Sequence, residues 1–150
     1  MRDREDTSMI PMMPTMPMLT GGVLIVDDDL DTVQLVGMAL EEEGYRVRAA
    51  AGAGALRLAR EERPDVILLD LMMPGMDGAE VSRRLRADPR TARAPIVLLS
   101  AHNDALAVAA TLPVDDVLSK PFTIVELAAT VARWMPLSSS SCREEVWRTA

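Results

Sequence analysis

The chain has 150 residues, which suits one domain, because a chain of this size buries roughly two thirds of its unfolded surface in a single core. Hydrophobic residues make up 49% and charged residues 26%, which excludes wholesale disorder and a fibrous or collagen-like chain. A formal net charge of −7 argues against nucleic acid as the main ligand, since phosphate binding needs a basic footprint, and the single cysteine, Cys142, excludes a disulfide framework within the monomer and points to a reducing compartment.

In chain order, residues 1–21 read as a disordered leader without assigned function, in which Pro11, Pro14 and Pro17 interrupt any apolar helix between Met9 and Met18. Charges of both signs at the start and the lack of an apolar run of about 18 residues remove a signal peptide and a membrane span, so a cytoplasmic protein with no membrane partner is expected. Residues 23–26 (Val-Leu-Ile-Val) form the first continuously apolar run. A helix over 30–43 follows, ended by Gly44, then a weaker strand at 45–50 and a helix over 53–62 ended before Pro64. The second apolar run is 66–69 (Val-Ile-Leu-Leu), followed by a helix over 79–87 ended before Pro89. The third is 95–99 (Pro-Ile-Val-Leu-Leu), followed by a short alanine-rich helix near 104–110, a weaker strand at 116–119 and a helix over 123–135 ended by Pro136. Residues 137–150, with Ser138 to Ser141 and Trp147, read as a short tail, not a docking peptide.

Continuously apolar runs are the pattern of strands covered on both faces, as in a parallel sheet, and such strands need crossover helices. Five strands alternating with five helices predict an α/β doubly wound sheet with helices on both faces and a crevice at the carboxyl ends of the strands. The first strand ends in Asp27, Asp28 and Asp29, the third in Asp70, the fourth in Ser100 and the fifth in Lys120. Carboxylates brought together there repel by about 4 kcal/mol per pair at 4 Å and an effective dielectric near 20, and a divalent cation with hard oxygen ligands relieves this. Mg²⁺ suits a site that has few carboxylates and accepts a phosphate oxygen. Asp27, Asp28 and Asp70 against Mg²⁺ and Lys120 sum to zero charge. A carboxylate in such a place is a competent nucleophile toward phosphorus.

The runs Val-Leu-Ile-Val-Asp-Asp-Asp (23–29), Leu-Leu-Asp-Leu-Met-Met-Pro-Gly-Met-Asp-Gly (68–78) and Ser-Lys-Pro-Phe (119–122) resemble, in order and spacing, the receiver domain of two-component response regulators, of the stand-alone chemotaxis type. The resemblance covers about residues 22–136. It implies the flavodoxin-like strand order 2-1-3-4-5, which general knowledge of such domains supplies. It further implies that Asp70 is the phosphoacceptor, that Mg²⁺ is held by Asp28, Asp70, the backbone carbonyl of Met72 and, through water, Asp27, that Lys120 pairs with the phosphoryl group, and that Ser100 moves to bond it. The family's Lys-Pro peptide is usually cis. The implied partners are a histidine kinase or histidine phosphotransfer protein and a downstream protein target, with no nucleic acid. Output is then expected through protein contacts or onward phosphoryl transfer, and the protein is expected to be no enzyme beyond its own phosphorylation and dephosphorylation.

Two departures stand out. Receivers usually carry Tyr or Phe three residues before the lysine, where this chain has Val117, so an altered readout is expected. The interval between Ser100 and Lys120 is short, which predicts a stunted fourth helix. His102 reads as an exposed loop residue. Met72, Met73 and Met76 read as packing residues of their loop, because thioethers do not suit magnesium, and Trp134 is expected to pack with Leu127 and Val131. Rival readings are a degenerate receiver acting as an interaction module, and a phosphatase whose aspartyl nucleophile follows the first strand, a pattern that Asp27 and Asp29 meet. Flavin binding is the weakest, because no phosphate-cradling loop follows that strand.

Overall fold

The computed structural model describes residues 21–136, apart from 74, 76 and 102–104. The leader before Gly21, the tail with Cys142 and Trp147, Met76 and His102 lie outside the described residues. Strands and helices alternate throughout: β1 (Gly22–Val26), α1 (Leu30–Glu42), β2 (Arg46–Ala50), α2 (Gly54–Glu62), β3 (Val66–Asp70), α3 (Gly78–Ala87), β4 (Ile96–Ser100), α4 (Ala105–Ala109), β5 (Asp116–Ser119) and α5 (Ile124–Trp134). The five strands form one parallel sheet in the order β2-β1-β3-β4-β5, as expected.

Why the three apolar runs take the middle of the sheet follows from their side chains. Every residue of β1, β3 and β4 is buried, whereas β2 exposes Arg46, Arg48 and Ala49, and β5 is half-buried up to its exposed last residue, Ser119. Only strands apolar on both faces can lie between two helical layers, and charged side chains suit an edge. Successive side chains point to opposite faces. Leu24, Val26, Ile67, Leu69, Ile96 and Leu98 therefore meet α2 and α3 through Leu56, Val81 and Leu85, while Val23, Ile25, Val66, Leu68, Val97 and Leu99 meet α1 and α5 through Val36, Leu40, Leu127 and Val131. Trp134 packs half-buried on this second cluster, as its helical spacing predicts.

Helix ends lie close to the positions that local chemistry predicts. Gly44 takes φ +101° just after α1, and Arg63 takes the left-handed conformation (φ 51°) after α2, one residue before Pro64. Asp77 caps α3 by accepting from the Glu80 N–H at 3.0 Å, and Thr123 and Glu126 form a reciprocal capping box at α5. Among the described residues α4 spans five, Ala105–Ala109. Two expectations are corrected. Gly21 does not belong to a free leader: its carbonyl accepts the Arg46 N–H at 2.8 Å, and a Cβ there would lie 2.3 Å from Met135 Sδ. Met72 does not pack, for its side chain is 60% exposed, while Met73 is buried. Among the described residues no helix is long and apolar enough to cross a membrane.

Candidate functional site

Parallel strands end together, so the last residues of β1, β3, β4 and β5 meet at one edge. The Asp27-Asp28-Asp29 run divides its work by position. Asp27 is buried, and its carboxylate accepts the Asp29 N–H at 2.9 Å, which turns the chain out of β1. Asp28 is exposed. Asp29 is the N-cap of α1: it accepts from the Asp31 N–H at 3.1 Å and from the Thr32 hydroxyl at 2.8 Å. Those bonds, the Thr32 hydroxyl foremost, hold its carboxyl below the usual carboxylate range.

Asp70 ends β3, between β1 and β4 in the sheet. Carboxylate oxygens of Asp27, Asp28 and Asp70 all lie within 4.8 Å of one another. Lys120 arrives from the end of β5, where its N–H donates to the Ser100 carbonyl at 2.8 Å and its bond to Pro121 is cis. Its Nζ lies 3.3 Å from Asp70 Oδ1 and 3.5 Å from Asp27 Oδ2. Ser100 is fully buried at the end of β4, paired in register with Ser119 of β5. Met72 places its backbone beside the acids and hydrogen-bonds Asp70.

The electrostatics of this rim are those of a site short of positive charge. Burial pushes the Asp70 carboxyl above its ordinary value, the charge of Asp27 adds to the rise, and Lys120 and the Met72 backbone oppose it without cancelling it. One ammonium faces three carboxylates. The donors are hard oxygens, and among the described residues no thiolate or imidazole joins the clustered acids. This set fits a small divalent cation that keeps some of its waters, and fits a softer metal poorly.

Gly78 is a residue whose part sequence reasoning missed. As the first residue of α3 it donates its N–H to the Leu71 carbonyl at 2.9 Å, and a Cβ on it would stand 2.4 Å from the Asp70 carbonyl oxygen. The helix can sit on the backbone of Asp70 only because that side chain is absent. The sequence signal was present as the glycine closing the 68–78 run, but nothing local to it indicates the close approach. Val117 lies half-buried against the cluster on the α2–α3 side of the sheet, as do Val108, Ala109, Leu112 and Val114.

Comparison with known proteins bears on this geometry. The response regulator receiver domain family matches residues 23–132. Relatives include the DNA-binding response regulator MtrA of Mycobacterium tuberculosis, 43% identical over 112 residues that cover 73% of this chain and 48% of that protein. The transcriptional regulatory protein AfsQ1 of Streptomyces coelicolor is 44% identical over 102 residues, 66% of this chain and 44% of its own. The chain thus spans about half the length of these relatives. Among solved structures, chemotaxis protein CheY4 of Vibrio cholerae superposes with a TM-score of 0.71 at 32% identity, over 76% of this chain and 98% of that one. The receiver domain of the sensor histidine kinase PA1611 of Pseudomonas aeruginosa superposes with a TM-score of 0.72 at 32% identity, over 77% and 98%, and has a magnesium ion coordinated in its active-site cleft.

Proposed function

The chain belongs to the response regulator receiver family, and from that premise we propose that it accepts a phosphoryl group on Asp70 from a phosphohistidine of a histidine kinase or phosphotransfer protein. An Asp70 carboxylate oxygen attacks phosphorus, the phosphorus–nitrogen bond breaks, and the departing imidazole nitrogen keeps the electron pair and takes up a proton. An acyl phosphate on Asp70 is the product, and water attacking its phosphorus returns the carboxylate and inorganic phosphate.

The observation that carries the reading is the convergence of Asp27, Asp28 and Asp70 within 4.8 Å, with Lys120 Nζ 3.3 Å from Asp70. Asp28, Asp70 and the Met72 carbonyl would hold Mg²⁺ directly and Asp27 through water. When bound, the ion supplies positive charge to the acids and to the phosphoryl oxygens. Lys120, anchored by Asp27, offers the second positive charge. Ser100 contributes its hydroxyl to a phosphoryl oxygen. Asp29 is engaged as a helix cap, which argues against the phosphatase reading that required it as a second acid. The acyl phosphate then biases a two-state element toward a protein target, or the phosphoryl group passes onward. A chain charge of −7 supports protein contact over direct contact with nucleic acid.

Incubation with acetyl phosphate and Mg²⁺ followed by intact-mass measurement tests the proposal. Wild type should gain one phosphoryl group and Asp70→Asn none. Modification of both, or of neither, would reject Asp70 as the acceptor.

A further inference from the structure

At the opposite end of the sheet from the acids, the loops leading into β3 and β4 enclose a groove of about 280 Å³ lined by Arg63, Arg90 and Arg93. It adjoins, through Pro89 and Arg90, a second groove of about 620 Å³ between α2 and α3, to which Arg60 and Arg84 contribute. Five arginines and two aspartates, Asp65 and Asp88, line the pair. This is a net positive track on a chain of charge −7.

The aspartates do not neutralise it. Asp88 holds both Arg60, at 3.5 Å, and Arg90, at 3.3 Å. Asp65 turns a carboxylate oxygen to the Gly22 N–H at 2.8 Å. Arg84 shares Glu80 with Arg83. Among the described residues, no ion pair or side-chain hydrogen bond holds the guanidinium of Arg63 or Arg93, and both residues are exposed. The track therefore combines guanidiniums fixed in place by shared carboxylates with two that retain all their donors.

We propose that this track is a docking surface for an acidic, extended peptide segment of a partner protein. A guanidinium binds a carboxylate bidentately, and among the described residues Arg63 and Arg93 have no ion pair to give up in doing so, while the paired arginines add positive potential along the track. The apolar floor supplied by Leu56, Pro64, Pro89 and Pro95 accommodates aliphatic side chains between the acidic ones. Nucleic acid fits less well, because among the described residues no aromatic side chain lines the track to stack a base. Lying away from Lys120 and Asp70, the surface leaves the acidic rim free for a phosphoryl donor.

Fluorescence anisotropy of a short labelled peptide of alternating glutamate and leucine, titrated with the full chain, tests this directly. Binding should weaken as salt is raised. R63E/R93E breaks no ion pair of the fold, and should keep the wild-type urea midpoint while binding at least about tenfold more weakly. R63Q/R93Q should fall between it and wild type, and R63K/R93K, which keeps the charge without the fork, between R63Q/R93Q and wild type. No binding by wild type, affinities that do not follow the charge series, or tighter binding of a single-stranded oligonucleotide than of the peptide would each overturn the proposal.

Discussion

Replacing Gly78 by alanine asks whether the approach of α3 to the backbone of Asp70 matters. The added Cβ would lie 2.4 Å from the Asp70 carbonyl oxygen, 2.8 Å from Leu71 Cα and 3.1 Å from the Asp70 carbonyl carbon. Ordinary carbon–oxygen contacts begin at about 3.3 Å, so the two backbone segments must part by about 1 Å. All three atoms are main chain, and none can swing aside. The Gly78 N–H bond to the Leu71 carbonyl, 2.9 Å long, is stretched by the same movement. Overpacking of this kind costs about 1–3 kcal/mol, against which alanine returns up to about 1 kcal/mol of helix propensity. The expected outcome is a loss of about 1–2 kcal/mol in urea unfolding, seen as a lower midpoint at unchanged slope. Phosphorylation by acetyl phosphate should slow by as much as about 100-fold, because the nucleophile shifts by about 1 Å. Gly54→Ala is the control: it also begins a helix, meets nothing within 4 Å, and should stabilise by up to about 1 kcal/mol. A Gly78→Ala protein as stable as wild type and phosphorylated at the same rate would refute the argument from close approach.

Three further outcomes are expected. Because the Asp70 carboxyl is raised by burial and by Asp27, the metal-free native state keeps a proton there that the unfolded chain, with its ordinary value near 3.9, has already lost. Stability then falls as pH rises through that window. In EDTA, Asp70→Asn should melt above wild type at pH 7 and lose this advantage below the unfolded value; a lower melting temperature at pH 7 would contradict it. Lys120→Gln removes an attraction of about 5 kcal/mol before solvation costs, from unit charges 3.3 Å apart at an effective dielectric near 20. Mg²⁺ should then bind roughly fivefold more tightly at low salt, through loss of about 1 kcal/mol of repulsion, while phosphotransfer drops by about 100-fold or more. Calorimetry and intact-mass kinetics separate the two effects, and parallel losses in both would contradict the assignment. Arg86 donates to the carbonyls of Pro113, Ala92 and Ala94 at 2.9, 3.0 and 2.6 Å and pairs with Asp115, whose carboxylate also accepts the Ile96 N–H at 2.8 Å. Lysine cannot reproduce that fork, so Arg86→Lys should cost about 2–4 kcal/mol in urea unfolding. A cost under about 0.5 kcal/mol would show that water replaces the fork.

The sequence alone determined what depends on near neighbours along the chain. Three apolar runs, helix-length segments ended by Gly44, Pro64, Pro89 and Pro136, and charged residues at strand ends are local patterns, and the observed elements follow them closely. The strand order and the part of each acid came through the resemblance, since alternation fixes handedness and layering but not which strand lies beside which. Tertiary structure decided how three consecutive aspartates divide into a buried anchor, an exposed acid and a helix cap. Their surroundings come from Lys120, 93 residues after Asp27, and from Asp70, 50 residues before Lys120. It also decided that Met72 faces solvent while Met73 packs, that Gly78 must lack a side chain, and that Arg86 ties the loops at the far end of the sheet. Each of these depends on the distance between segments remote in the chain, which no periodicity of neighbouring residues encodes.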